Sequence, residues 1–235
     1  MLNNKVAIIT GGTGALGKGV LSVFLELGAN VFSTYRSDKE LAECADLKEK
    51  HGDRVQFFKA DVTSAADVSQ LVTKTLETFS RIDALVNIVG GFSQAPISET
   101  DEEAWDKMMN LNLKTAFLCS KAVLSRMMES GGGRIVNIAS RPALKGSAGM
   151  GAYGASKAGV LNLTQSMADE LREHNINVNA IVPGTIDTPA NRKSMPDADH
   201  SKWVAPEDIG RVIAFLCSDG ARAVSGAAVP VYGRS

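Results

Sequence analysis

Tyr153 and Lys157 open a helical run, Tyr153-Gly-Ala-Ser-Lys157, at a spacing that puts both side chains on one helix face about 6 Å apart along the axis. A free phenol ionises near pH 10, too high for a base at neutrality, but an adjacent fixed cation favours the phenolate and moves that value down. The pair is expected to act as one unit, a proton donor and acceptor for a hydroxyl/carbonyl couple. Ser140 ends the apolar run Gly133-Arg-Ile-Val-Asn-Ile-Ala139, which reads as a strand delivering a hydroxyl to its C-terminal edge, where it can donate to the same oxygen. Alone, Tyr-x-x-x-Lys is weak, because most helices carrying it present a surface lysine and a half-buried tyrosine. The elements that position these groups decide the matter.

Residues 5–10, KVAIIT, form a short β-branched run followed at once by Gly-Gly-Thr-Gly-Ala-Leu-Gly at 11–17 and an amphipathic segment to Gly28. That is strand, glycine turn and helix. Gly12, Gly14 and Gly17 fit G-x-G-x-x-G, whose glycines allow a tight turn and bring backbone N–H groups close to a pyrophosphate at the helix N-terminus. The second strand, 30–35, ends at Tyr35 and Arg36, where dinucleotide folds place an acid on the adenosine ribose. A guanidinium fork there suits a 2′-phosphate, so NADP(H) is expected over NAD(H).

Strands and helices then alternate with short connections: strand 55–59, helix 65–79, strand 82–89, a long helical region 102–128, and strands at 134–139, 176–182 and 223–231. The pattern predicts one α/β domain over 1–235, a Rossmann-like, doubly wound parallel sheet of about seven strands with helices on both faces and ligands at the C-terminal strand edges. The polar segment 189–202 reads as a mobile flap over that edge, and the helix beginning at Pro206 is the last.

Lys plus Arg number 25 against 26 Asp plus Glu, a net charge of −1, so no basic field for nucleic acid or an anionic membrane is expected. The start leads into a strand without a signal-peptide pattern, and no apolar run approaches the ~18 residues of a membrane span; a cytoplasmic location and a small-molecule partner are expected. Cys44, Cys119 and Cys217 lack metal or redox spacing and read as reduced structural thiols. His51, His174 and His200 read as solvated surface histidines, and no metal is expected. Residues 113–124 and 158–167 are apolar or small around most of each helix, which requires cover on more than the sheet side; a second copy of the chain is the expected cover.

Together these residues resemble the short-chain dehydrogenase/reductase family of the compact, roughly 250-residue kind, over essentially the whole chain. The matching features are Thr10-Gly-Gly-Thr-Gly-Ala-Leu-Gly17, Asp61-Val62, Asn87-x-x-Gly90, Asn112-Leu, Ser140, Tyr153-x-x-x-Lys157 and Pro183-Gly-x-x-x-Thr188. The resemblance implies Tyr153 as acid/base, Lys157 lowering its pKa and holding the nicotinamide ribose, Ser140 positioning the substrate oxygen, and Asn112 supporting a water relay to the lysine. It implies a cofactor site of Gly11, Thr13, Gly14, Leu16, Gly17, Tyr35, Arg36, Asp61, Val62, Asn87, Ile88, Val89, Gly90, Tyr153, Lys157, Pro183, Gly184, Ile186 and Thr188, and a twofold-symmetric tetramer. Two departures stand out: Ala15 replaces the middle glycine of the family's usual turn, and Asn-Ile-Val-Gly replaces Asn-Asn-Ala-Gly.

The leading functional expectation is an NADP(H)-dependent oxidoreductase interconverting a carbonyl and a secondary alcohol. A 3-oxoacyl-[acyl-carrier-protein] reductase is an alternative within that class, although the segment before strand five, Met-Met-Glu-Ser-Gly-Gly-Gly, lacks the positive charge an acidic carrier favours. A non-catalytic nucleotide-binding regulator is the alternative of another class; such a protein is expected to lose the tyrosine or the lysine, and both are present.

Overall fold

A computed structural model of the chain describes residues 1–234; Ser235, the end of the expected 1–235 domain, lies outside them. Seven parallel strands form one sheet: β1 (Val6–Thr10), β2 (Asn30–Tyr35), β3 (Val55–Lys59), β4 (Ala84–Asn87), β5 (Gly133–Ile138), β6 (Ile176–Pro183) and β7 (Ala228–Val231), ordered β3-β2-β1-β4-β5-β6-β7. Nine α-helices accompany them among the described residues: α1 (Ala15–Glu26), α2 (Asp38–Ala42), α3 (Ala45–His51), α4 (Ala65–Phe79), α5 (Glu102–Met108), α6 (Thr115–Glu129), α7 (Gly151–Glu170), α8 (Pro189–Ser194) and α9 (Pro206–Leu216).

The strands are apolar on both faces because both faces are covered. In β1, Ala7 and Ile9 pack with Val20 and Phe24 of α1 and Ile209 and Ile213 of α9, while Ile8 between them packs with Leu71 of α4, Val123 and Met127 of α6 and Met167 of α7. Thr10 is in register with Asn87, and Asn87 with Asn137, so β1, β4 and β5 end side by side. The strand order reverses between β1 and β4, opening a crevice for ligands at their C-terminal ends. There the Thr10 hydroxyl accepts the Ile88 N–H at 3.0 Å and the Thr34 hydroxyl accepts that of Gly11 at 2.8 Å, pinning the loops that leave the sheet.

Several expected boundaries shift for physical reasons. β4 occupies only Ala84–Asn87, and β7 begins at Ala228, because the flanking apolar residues leave the ladder. The helical region from 102 is three pieces: α5, a π-helical turn at Met109–Lys114 and α6. The segment expected as a flap contains α8, started by Thr188, whose hydroxyl accepts from the Asn191 N–H, and the turn His200–Lys202. His51, expected in solvent, is half-buried with Nδ1 at 2.8 Å from Arg54 Nη2. Its pKa is held below the usual range, first by burial and then by the neighbouring Arg54 charge. All three cysteines are buried and unpaired, and burial pushes Cys119 and Cys217 up to about 12. No helix among the described residues is long and apolar enough to cross a membrane.

Candidate active site

Ser140 follows the end of β5 in extended backbone conformation and is buried. Tyr153 stands in the first turn of α7, half-buried, with its ring against Phe92 edge to face, centroids 5.1 Å apart. Burial pushes the Tyr153 phenol above its ordinary pKa, and its hydrogen bond with Ser140 opposes that rise. The expected lowering by Lys157 is therefore not what this geometry gives. The Lys157 ammonium is buried and donates to the Ile138 carbonyl at 2.7 Å, and desolvation pulls its own pKa down to about 8. A buried cation favours its neutral form just as a buried phenol does.

Asn112 sits in the π-helical turn, a distortion common at functional sites because it re-aims a side chain inward. Its Oδ1 accepts the Gly91 N–H at 2.9 Å, and its Nδ2 donates to the Gly91 carbonyl at 3.1 Å and to Ser156 Oγ at 2.9 Å. Ser156 Oγ in turn donates to the Tyr153 carbonyl at 2.7 Å. Asn112 thus fastens the loop after β4 to the helix turn that carries Tyr153. Gly90 is where these groups converge: a Cβ there would lie 2.6 Å from Asn112 Oδ1 and 3.2 Å from Lys157 Nζ.

Beside this cluster, a cleft of about 280 Å³ runs along the switch point, lined among others by Gly11, Thr13, Gly14, Leu16, Gly17, Tyr35, Arg36, Asp61, Val62, Ile88, Val89 and Gly90. It is the cleft in which the expected dinucleotide-binding residues of the glycine turn and the ends of β2 and β4 come together. Gly11 adopts φ +68°, and a Cβ on Gly17 would stand 2.2 Å from the Gly11 carbonyl oxygen, so backbone alone forms the turn. Helix α1 starts at Gly14 with no side-chain cap and no acid in its first turn, leaving its first N–H groups to an anion. Asp61 accepts from the Thr63 hydroxyl at 2.7 Å and from its N–H at 2.9 Å, and these bonds hold its carboxyl below the usual range.

Other expected residues fall elsewhere. The Asn87 side chain turns away from the cleft and donates to Ser120 Oγ at 3.1 Å and Asn137 Oδ1 at 2.8 Å, within a buried polar cluster that Thr164 completes. Pro183, Gly184 and Ile186 line a second, wider cleft of about 650 Å³ that holds Ser140 and Tyr153, and Thr188 serves as the N-cap of α8. Sequence reasoning missed Thr34, Glu40 and Ser156. Glu40 lines the dinucleotide cleft and accepts from the Thr13 hydroxyl at 3.4 Å. Its signal was available in part: Ser37 with Glu40 three residues later is a helix-start signature, which places Glu40 in the first turn of α2.

A family model described as short chain dehydrogenase matches residues 5–199. The chain is 36% identical to the (2S)-[(R)-hydroxy(phenyl)methyl]succinyl-CoA dehydrogenase subunit BbsD of Thauera aromatica, with 99% of this chain and 96% of that protein covered. It is 33% identical to the 3-oxoacyl-[acyl-carrier-protein] reductase FabG of Thermotoga maritima, covering 99% and 98%. Among solved structures, levodione reductase superposes with a TM-score of 0.92 at 32% identity, covering 99% of this chain and 98% of that one. The protein ElxO with NADP bound gives 0.92 at 29%, covering 97% of each.

Proposed function

We infer that this chain, which belongs to the short chain dehydrogenase family, is an NADP(H)-dependent oxidoreductase that interconverts a small carbonyl compound and its secondary alcohol. The observation that carries the reading is the hydrogen-bonded pair of Ser140 and Tyr153 facing a 650 Å³ cleft, in a chain whose glycine turn lines a second cleft at the sheet's switch point. When bound, the nicotinamide supplies or accepts the hydride. Tyr153 gives a proton to the nascent alkoxide in reduction and removes it in oxidation, and Ser140 orients the same oxygen by hydrogen bonding. Burial keeps the phenol protonated at neutral pH, which suits it to the reducing direction. Asn112 holds the loop after β4 against α7 and Lys157 ties α7 to the end of β5, so that the proton donor and the cofactor cradle keep one geometry.

The preference for NADP(H) rests on Arg36 at the edge of the cleft and on the absence of an acid at Tyr35, with the NADP-bound relative in support. Glu40 works against it, since a carboxylate in the same cleft repels a 2′-phosphate. A 3-oxoacyl thioester is the second reading, favoured by the similarity to the Thermotoga reductase. We also propose assembly with copies of the chain through α6 and α7, as a tetramer. Turnover of NADPH with a panel of ketones, quinones, sugars and acyl thioesters tests the central reading; no consumption with any of them rules against it.

A further inference from the structure

Phe92 lines the cleft of Ser140 and Tyr153 and stays 62% exposed, although its ring meets that of Tyr153 edge to face. No slack loop leaves it there. Asn112 takes both backbone groups of Gly91, the N–H at 2.9 Å and the carbonyl at 3.1 Å. Beyond Phe92, the Ala95 N–H donates to the Gly149 carbonyl at 2.9 Å, and Ala95 forms an isolated parallel bridge with Met150. The chain is thus fixed on both sides of Phe92 while most of the ring stays open.

Met195 lines the same cleft from the C-terminal end of α8 and is 41% exposed. Its N–H donates to the Asn191 carbonyl at 2.9 Å, and its carbonyl accepts from His200 Nε2 at 2.9 Å. Two polar neighbours in the lining are occupied locally. Asn191 Nδ2 donates to the Ile186 carbonyl at 2.8 Å, and Ser194 Oγ donates to the Asn191 carbonyl at 3.0 Å. The charged side chain among the described lining residues, Arg141, lies over the Tyr232 ring, 4.6 Å from its centroid, and is engaged there.

We infer that Phe92 and Met195 form an apolar subsite beside the proton donor that takes an aromatic ring of the substrate, so that the substrate class is a ketone with an aromatic ring within one carbon of its carbonyl, and the corresponding alcohol. This rests on the oxidoreductase reading for the carbonyl end of the molecule. Large apolar side chains left open inside a cleft gain when a ligand covers them, and fixed ones do so without a cost of ordering. An aromatic ring fits both walls, since it can stack on or meet the edge of Phe92 and can lie against the soft thioether of Met195. The distance from the chemistry is short. The Phe92 and Tyr153 centroids are 5.1 Å apart, so a group resting on Phe92 belongs to the carbon that bears the reacting oxygen or to the next one. In the step so oriented, the carbonyl carbon accepts a hydride from reduced nicotinamide and the oxygen accepts the Tyr153 proton. The products are the secondary alcohol and oxidised cofactor, and the aromatic ring is unchanged.

The test compares acetophenone, 1-phenylpropan-2-one, 1-cyclohexylpropan-2-one and butanone with NADPH. In the parent protein kcat/KM for at least one phenyl ketone is expected to exceed that for butanone by about ten- to a hundredfold, the worth of burying one such ring. 1-Phenylpropan-2-one is expected to exceed its cyclohexyl analogue by a few-fold to about tenfold. Truncating Phe92 also removes a contact of Tyr153 and so acts on every ketone, which is why ratios are read. In Phe92→Ala the phenyl advantage over butanone falls to within a few-fold, and Met195→Ala lowers it in the same direction. Phe92→Leu keeps part of that advantage and loses the preference for phenyl over cyclohexyl. Saturation-transfer NMR of the same ketones with protein saturated with NADP⁺ reads binding without turnover, and the phenyl signal is expected to fade in Phe92→Ala. Butanone turned over as well as the phenyl ketones, or ratios unchanged in Phe92→Ala and Met195→Ala, would overturn the subsite and leave the oxidoreductase reading intact. Phenyl and cyclohexyl ketones turned over equally by the parent would overturn the aromatic assignment. Phenyl-selective binding lost in Phe92→Ala, without turnover of any ketone, would keep the subsite and remove the oxidoreductase reading.

Discussion

Lys157 donates to the carbonyl oxygen of Ile138 at 2.7 Å, anchoring the cation nearest Tyr153 along its helix to the last residue of β5. Desolvation sets its pKa at about 8, against about 10.4 for a lysine in an unfolded chain. Between those values the unfolded state holds a proton that the folded state has released, so Lys157 makes stability rise with pH across the window. Below about pH 8 the folded protein carries the full cost of the buried ammonium.

Replacing Lys157 by Met removes that dependence. The stability of the parent relative to Lys157→Met should therefore increase from pH 7 to pH 10, by up to about 3 kcal/mol. Tyr153, Cys119 and Cys217, all raised by burial, act in the opposite direction at alkaline pH in both proteins, so the difference between the two is the quantity to follow in urea titrations. A difference that does not change with pH contradicts the buried, desolvated lysine.

Two glycines of the first turn should behave differently. A Cβ on Gly17 would meet the Gly11 carbonyl oxygen at 2.2 Å and the Gly12 backbone at 2.6 Å, whereas one on Gly14 has only the Gly11 oxygen at 3.4 Å. Gly17→Ala is expected to cost about 1–3 kcal/mol or more by overpacking backbone on backbone. Gly14→Ala is expected to fold with nearly the parent's Tm while binding NADP⁺ more weakly, because the added methyl enters the cleft. Equal thermal stability of the two variants would refute the close-packed turn.

For the cofactor, Arg36→Ala should weaken NADPH by about tenfold or more and NADH by no more than a few-fold, since only the former carries the phosphate a guanidinium pairs with. Glu40→Gln should shift the balance further toward NADPH. Fluorescence titration of both cofactors against the three proteins measures this; equal affinity of the parent for NADPH and NADH is the contrary result.

On assembly, the exposed positions of the two apolar helices are now identifiable. Ala158 faces outward and Phe117 is 44% exposed, while Leu161 packs beside Ala139, Ala180 and Val182, and Leu163 packs against the α4, α6 and α7 side of the core. Phe117→Glu and Ala158→Glu should break an oligomer without opening the core, and Leu161→Glu should unfold the chain. Light scattering that finds the parent fully active at micromolar concentration as one 24.8 kDa chain would rule the oligomer out.

What the sequence made legible was local. Val6–Thr10, the glycine turn and α1 could be read from periodicity and glycine spacing, and Tyr153 with Lys157 from one helical turn. What it hid depends on distant neighbours. Asn87 ends a strand, and which way its amide turns is decided by Ser120 and Asn137, far away in sequence. The π-helical turn that aims Asn112 inward leaves the polar and apolar pattern unchanged, so 102–128 reads as one helix. The Tyr153 pKa rises because burial, which no short motif reports, acts on the phenol while Lys157 is held by Ile138. The stacking of Arg141 on Tyr232 joins the turn after β5 to the end of β7 and leaves no trace in either segment.

The central claim is that Tyr153 transfers the proton. With a carbonyl substrate found by the panel, Tyr153→Phe should bind NADPH as the parent does and lose about 10²- to 10⁴-fold in kcat. In the parent, carbonyl reduction should persist into the alkaline range and alcohol oxidation should climb with pH there, because burial raises the phenol's pKa. A Tyr153→Phe protein that reduces the substrate within a few-fold of the parent rate contradicts the assignment.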